Sequence, residues 1–344
     1  MSGDALKLGM TFGYWGKGPS KNMIEQAQAA EDVGFDSLWT AESWGNDAFT
    51  FATWLAAHTK KVRIGTGIVQ MAARTPVATA MAAATIDHLS GGRFILGLGV
   101  SGPQVVEGWY GQPSARPLAR TREYIEVIRR ALARDEGPLD FQGEFYQHPY
   151  SGEGSVGLGK PLKMMIHPLR KEIPIFLGAE GPKNVTQTAE IAEGWLPLYY
   201  SPYRQDVYAD QLANAKPGFE ITALVNFTVT DDVAAALLPV KGALGFYIGG
   251  MGAKGQNYHT KLMQRMGYEE EALKIQDLFF QGKRDEAILA VPDDFADEIS
   301  LVGPASRIKE RLDAWRDSPV TSLLLGGGNR SKEDLKLIAD LVRG

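Results

Sequence analysis

The chain is predicted to fold as a single (β/α)₈ barrel with insertions on its rim, and three observations lead there. Short apolar runs of strand length alternate with segments of helical period along the sequence. The boundaries repeat the same chemistry, with glycine just past a helix and proline or serine at a helix start. Eight such strand–helix repeats can be counted, which is the number that closes a parallel barrel. The runner-up is an open doubly wound sheet. Its glycine-rich turn after strand one, followed by an acid about 20 residues later, is absent.

Residues 6–12 (LKLGMTF) read as strand one, and residues 20–33 as a helix with Ser20 as N-cap and Gly34 past its end. Residues 35–40 give strand two and 49–58 the next helix. Strand three is expected at 62–69, and Pro76 opens the helix that follows it. Strand four covers 94–98. The helix over 117–134 places Tyr124, Val127, Ile128 and Ala131 on one stripe. Strand five is expected at 173–177, a helix from Pro182 to about 193, strand six at 195–198 and strand seven at 220–229. Pro304 opens another helix, strand eight lies at 321–325, and Ser331 with Asp334 makes a capping-box start for the last helix. One domain, 1–344, is thus expected, with insertions at about 135–172 and 230–301. Both exceed ordinary loop lengths and are rich in aromatic and aliphatic residues, so they read as walls or lids on the rim, with dimerisation as the alternative use. The first contains FQGEFYQHP, a hairpin pattern.

Composition excludes several classes. With 44% hydrophobic and 22% charged residues the chain can build an ordinary core. A net charge of −5 without a basic run argues against nucleic acid or an acidic membrane as partner. The absence of cysteine removes disulfides and thiolate catalysis and suits a reducing cytosol. The N-terminal stretch lacks the basic start and apolar core of a signal peptide, and no run of about 18 apolar residues is evident, so a cytoplasmic location is expected. The five histidines show no metal-ligand spacing, and no serine sits in a G-x-S-x-G elbow, so neither a metal site nor a hydrolase is expected.

The span VRIGTGIVQMAARTPVATAMAAATIDHLSGGRFILGLGVSGPQVVEGWYG, residues 62–111, is the part most like an active site. Glycines interrupt two otherwise apolar strands, which means either tight packing against neighbours or the close approach of a flat ligand. Two such strands together with Gly102 read as a ligand surface. Barrel enzymes place reacting groups at the C-terminal ends of strands. That rule selects Thr11, Glu42, Ser43, Trp44, Gly67, Ile68, Gln70, Ser101, Gly102, Glu107, Gly178, Ala179, Glu180, Gly181, Tyr199, Tyr200 and the glycines 326–328. Few charges among many aromatics and glycines suit a flat aromatic ligand. Glu42 follows an apolar strand, where a poorly solvated carboxylate can act on protons, cap the next helix or pair with a base. A phosphate has two candidate seats: the turn of FLGAEGPKN feeding a helix N-terminus, and the glycines after strand eight. In the first, the Glu180 carboxylate would have to turn away.

The segments TAESWGNDAFT, GTGIVQMAARTP, LSGGRFILGLGVSGPQVVEGWYG, KPL with HPLR, and IPIFLGAEGPKNV with GWLPLYYSP, taken in this order, resemble the bacterial luciferase-like superfamily. Within it they are most similar to the mycobacterial and actinobacterial oxidoreductases that use the deazaflavin coenzyme F-420. The resemblance implies a barrel with insertions, usually a homodimer, and a cis peptide at Gly67–Ile68 against the deazaflavin ring. It places Glu42, Ser43 and Ser101 at the ring edge and the cofactor phosphate on the turn Gly178, Ala179, Glu180, Gly181. Two departures stand out: Ser43 replaces a histidine of many relatives, and Pro103 replaces the acid of the sugar-phosphate dehydrogenases. Glucose-6-phosphate is therefore not the expected substrate, and Glu107 is the nearest substitute acid beside Glu42. The expected function is hydride transfer between F-420 and a small organic substrate. The alternatives are an FMN-dependent monooxygenase on the same scaffold and a non-catalytic flavin-binding protein.

Overall fold

A computed structural model describes residues 6–252, 254–326 and 328–344. Eight parallel strands close into a barrel: β1 (Lys7–Thr11), β2 (Ser37–Thr40), β3 (Arg63–Thr66), β4 (Phe94–Gly99), β5 (Ile175–Gly178), β6 (Gly194–Leu196), β7 (Glu220–Val229) and β8 (Ser322–Leu325). Each pairs with the next and β8 returns to β1, so that Gly9 lies opposite Ser37 on one side and Leu324 on the other. Strands buried on both faces need unbroken apolar runs, which is why these segments do not alternate in polarity.

The barrel interior is filled by Trp39, Ile95, Phe176 and Leu324, with Leu196 and Leu224 against them. Trp39 and Phe176 meet at 5.8 Å between rings, and the indole N–H donates to Ser37 Oγ at 2.8 Å. Glycines opposite make the room. A Cβ on Gly65 would stand 2.4 Å from Trp39, and one on Gly194 would stand 2.6 Å from Phe176. At the N-terminal end Glu220 accepts from Arg63 at 2.7 and 2.9 Å and from Lys7 at 3.2 Å, joining the starts of β7, β3 and β1. Burial alone would raise its carboxyl pKa, but the two cations outweigh burial and hold it below the ordinary value. A second, larger core lies between barrel and helices, and includes Leu8, Phe94, Tyr124, Trp195 and Trp315.

Helix starts follow local chemistry. Thr75 caps the Pro76–Ser90 helix and Gly91 ends it in the left-handed region, and the Ser331–Asp334 capping box is formed. Ser20 does not cap: the first helix is Met23–Asp32, and Ser20 Oγ instead donates to Asn22 Oδ1 at 2.7 Å. Strand three does not run unbroken through 62–69. It stops at Thr66 and resumes as Val69–Gln70, which pairs with Leu98 and Gly99 of β4.

The first insertion carries the expected hairpin, Phe141–Gln142 against Gln147–His148. Its tip is pinned to the Pro117–Leu132 helix, because Glu123 accepts from the N–H groups of Glu144, Phe145 and Tyr146 at 2.8, 2.8 and 3.2 Å. The second insertion holds the helices Val233–Gly250, Tyr258–Arg265, Glu269–Phe280, Arg284–Leu289 and Asp293–Glu298. It ends in a strand the sequence reading passed over, Ser300–Gly303, paired with Asn226–Val229 of β7. At ten residues β7 outruns its barrel partners, and its far half needs this partner for its backbone groups. Val233–Gly250 also corrects the expectation that no long apolar run exists. By length and mean hydropathy of 1.4 it could cross a membrane, yet here it packs on Glu269–Phe280 and Arg284–Leu289 with Leu237, Val240, Leu244 and Ile248 buried.

Candidate active site

The C-terminal ends of the strands open into a cavity of about 1240 Å³. Its floor is made where β3 breaks. Gly67 N donates to Thr40 O at 2.6 Å and Glu42 N to Ile68 O at 3.2 Å, which ties the bulge to the end of β2. The Gly67–Ile68 peptide is cis, at the bond the resemblance implies. Ile68 fills the space before β4 and β5. A Cβ on Gly99 would fall 2.8 Å from its side chain, one on Gly178 would fall 3.2 Å from it, and one on Gly97 would fall 1.7 Å from Thr66 O. The glycines read as a ligand surface therefore divide. Gly65, Gly97 and Gly99 make room for neighbouring protein atoms. Gly67 faces the cavity with ordinary contacts, 3.4 Å to Trp39 and 3.8 Å to Leu196.

Glu42 lines the cavity at 5% exposure, so its charge requires partners. It has them. Arg74 donates to both carboxylate oxygens at 2.7 and 2.9 Å, Gln70 N at 2.8 Å, and Ala48 N stands at 3.5 Å. Arg74 also reaches Asp47. Of the readings open at the sequence level, the geometry is that of pairing with a base. Ser43 is next, its carbonyl accepting from the Tyr110 hydroxyl at 2.6 Å; burial pushes that phenol up to about 12, and the Glu42 charge adds to the effect. Ser101, two residues past β4, is in the left-handed region at φ 58°, a conformation side chains seldom adopt and one that clusters at binding sites.

The turn Gly178, Ala179, Glu180, Gly181 lines the same cavity and leads into the Pro182–Ile191 helix. No side chain caps that helix, and a Cβ on Gly181 would meet nothing within 4 Å. The Glu180 carboxylate is directed to His259, with Oε1 2.8 Å from Nδ1, while its carbonyl accepts from Arg265 at 2.7 Å. Lys183, Lys261 and Arg265 surround the turn and give this flank a positive field. Among the described residues of the other phosphate candidate, Gly326, Gly328 and Asn329 do not line the cavity, and Gly327 lies outside the described residues.

Three other selected residues lie elsewhere. Glu107 is exposed at the end of the short Pro103–Val106 helix, where Ser114 donates to it. Tyr199 is buried behind Tyr247 and His259, its ring 5.8 and 5.9 Å from theirs. Tyr200 belongs to the core, stacked on Tyr208 and against Trp195. The sequence reading missed His259, Lys261, Arg265 and Tyr247. They sit on insertion helices 18 or more residues beyond the end of β7, so the strand-end rule could not reach them. Arg74 was visible in the segment AARTP, but nothing local shows that it would turn back to Glu42.

The family model described as luciferase-like monooxygenase matches residues 10–322. The chain belongs to this family. A relative in Mycobacterium tuberculosis, named as a coenzyme F-420-dependent oxidoreductase, is 49% identical over 98% of this chain and 99% of its own. Among solved structures, the luciferase-like barrel resembles an F-420-dependent tetrahydromethanopterin reductase from Methanopyrus kandleri, with a TM-score of 0.76, 23% identity and 98% of both chains covered. It also resembles an F-420-dependent secondary alcohol dehydrogenase in complex with an F-420–acetone adduct, with a TM-score of 0.72, 19% identity, and 99% and 100% covered. At these identities the two structures speak to the family's fold.

Proposed function

We infer that the protein is a coenzyme F-420-dependent oxidoreductase that moves a hydride between the deazaflavin and an electrophilic carbon of a small organic substrate. The carrying observation is the 49% identity, over essentially full length, to a relative named for that activity. The cavity suits such a cofactor. It has room, a floor left open at Gly67, and a cationic flank at Lys183, Lys261 and Arg265 for acidic groups. Several buried polar atoms on its walls also lack protein partners, among them Gln70 Oε1, Thr222 Oγ1 and Arg265 Nε. Buried polar atoms are seldom left unpaired, so Gln70 and Thr222 are places for the edges of a polar ring system and Arg265 one for an acidic group.

Bound F-420 supplies or accepts the hydride at C5. In this reading Ser43, Gly67, Ile68 and Ser101 hold the ring, and the turn Gly178, Ala179, Glu180, Gly181 holds the phosphate with the helix N-terminus behind it. Glu42 has both oxygens occupied by Arg74 and Gln70, so it positions the mouth rather than passing protons. Glu107, outside the cavity, has no part in the chemistry. His259, facing the cavity beside Glu180, is the group placed to hold a proton. The protein works in the cytoplasm as a homodimer; a cysteine-free sequence and the exposed Trp54, Met81 and Leu89 on two adjoining helices support this.

Cofactor titration is the test. F-420 is expected to bind at micromolar or tighter affinity, FMN roughly tenfold or more weakly, and the reduced complex to consume no oxygen. Preferential FMN binding with substrate-dependent oxygen uptake would establish a monooxygenase instead. Failure of any electron acceptor to reoxidise bound reduced F-420 would leave a carrier protein.

A further inference from the structure

Beside the main cavity lies a smaller one of about 350 Å³, reached past Val100, Ser101, Pro117 and Tyr258, which line both. Its walls come from the segment 71–75 after the β3 bulge, the turn 112–117, and the pinned hairpin tip with Phe145 and Tyr146. They are mostly apolar or aromatic and include no aspartate or glutamate. Two cations line it, Arg74 and Arg120. Arg74 is neutralised by Glu42 and Asp47.

Arg120 is not neutralised. Its guanidinium sits over the Phe145 ring at 4.7 Å with the Tyr146 hydroxyl beside it. Its Nε is buried without a hydrogen-bond partner. Among the described residues no carboxylate lies within 4.0 Å of it. The acids on the surrounding segments are engaged elsewhere: Glu123 by the three hairpin amides, Glu144 by Arg116, and Glu107 by Ser114. An uncompensated guanidinium with an orphaned donor at a cavity wall is a site for a planar oxyanion, which it can engage through two parallel hydrogen bonds.

We propose that this annex anchors the substrate, and that it selects a small organic acid whose carboxylate pairs with Arg120 while its carbon skeleton lies along Phe145 and the prolines toward Ser101. The proposal rests on the reading that the main cavity takes the cofactor, and names the substrate class of that site. The cofactor's own acidic groups have a different seat, since Lys183, Lys261 and Arg265 lie on the β5 side and none of them lines the annex. A volume near the lower end for small-molecule pockets favours a compact acid over a large fused-ring substrate.

The test is calorimetric titration of the full chain, both without cofactor and loaded with F-420, using benzoate and hexanoate, each against its neutral amide. The wild-type protein should bind at least one acid roughly tenfold or more tightly than its amide. Arg120→Met should erase that preference while leaving F-420 affinity within about twofold, and Arg120→Lys, which keeps charge but not the fork, should retain part of it. If Arg120→Met loses its cooperative melt, Arg120→Lys carries the test, and a preference equal to wild type overturns the proposal. It also falls if neither acid binds, if acid and amide bind alike, or if the preference survives Arg120→Met. A roughly tenfold loss of F-420 affinity in Arg120→Met would make the annex the seat of the cofactor's tail. Arg120-dependent acid binding in a protein that does not bind F-420 would sustain the annex and defeat the cofactor assignment alone.

Discussion

Replacing Arg74 by methionine probes how the mouth of the barrel is held. Arg74→Met keeps an apolar stem but removes the guanidinium that donates to Glu42 at 2.7 and 2.9 Å, stranding a carboxylate that is 5% exposed. Breaking a buried pair from one side costs about 3–5 kcal/mol. An unfolding entropy of about 2.1 cal/mol/K per residue over 344 residues gives roughly 0.7 kcal/mol/K, so the melting midpoint should fall by about 4–7 °C. Adding Glu42→Gln removes the stranded charge, so the double variant should melt above Arg74→Met. Gln70 N also depends on Glu42, at 2.8 Å, and Gln70 follows the Gly67–Ile68 bulge on the cavity floor. Affinity for F-420 should therefore fall roughly tenfold in Arg74→Met. Thermal melts of the four proteins with cofactor titration read both effects, and kcat/KM against pH for Glu42→Gln reads the role of Glu42. A melt of Arg74→Met within about 1 °C of wild type, or a double variant below it, would refute the buried-pair argument. Loss of a limb from the Glu42→Gln pH profile would make Glu42 a proton-transfer group and refute the positioning role.

Three further outcomes are expected. Gly97→Ala, whose Cβ would stand 1.7 Å from Thr66 O, should lose stability by more than about 3 kcal/mol in urea unfolding, whereas Gly67→Ala, 3.4 Å from Trp39, should melt like wild type but bind F-420 more weakly; equal melts would remove the distinction drawn between these glycines. Gly181→Pro suits the local φ of −69° and deletes an amide donor, so it should weaken F-420 but not a ring fragment lacking the phosphate; equal losses would move the phosphate elsewhere. The Glu220 carboxyl titrates below its ordinary value of 4.5 in the folded protein, because Arg63 and Lys7 outweigh its burial. Its stabilisation is thus present above that value and is lost as pH falls through the lower folded value, so the stability gap between wild type and Glu220→Gln should close on acidification; a gap that widened would reverse the sign.

The sequence by itself determined the barrel. Apolar runs such as RFILGLG, proline at 76, 117 and 182, and the Ser331–Asp334 box act through near neighbours, and near-neighbour chemistry sets where strands and helices begin. It also pointed to the mouth, because in this fold strand ends and the site coincide. Only the tertiary structure decided what those residues face. That Glu42 is consumed by Arg74, that Gly97 yields to a carbonyl and Gly99 to Ile68, that Ser300–Gly303 extends β7, and that His259 and Arg265 come back over Glu180 are contacts between distant segments. Periodicity carries no record of them, since an ion pair or a docked helix is selected by the shape and charge that remain once the barrel has closed.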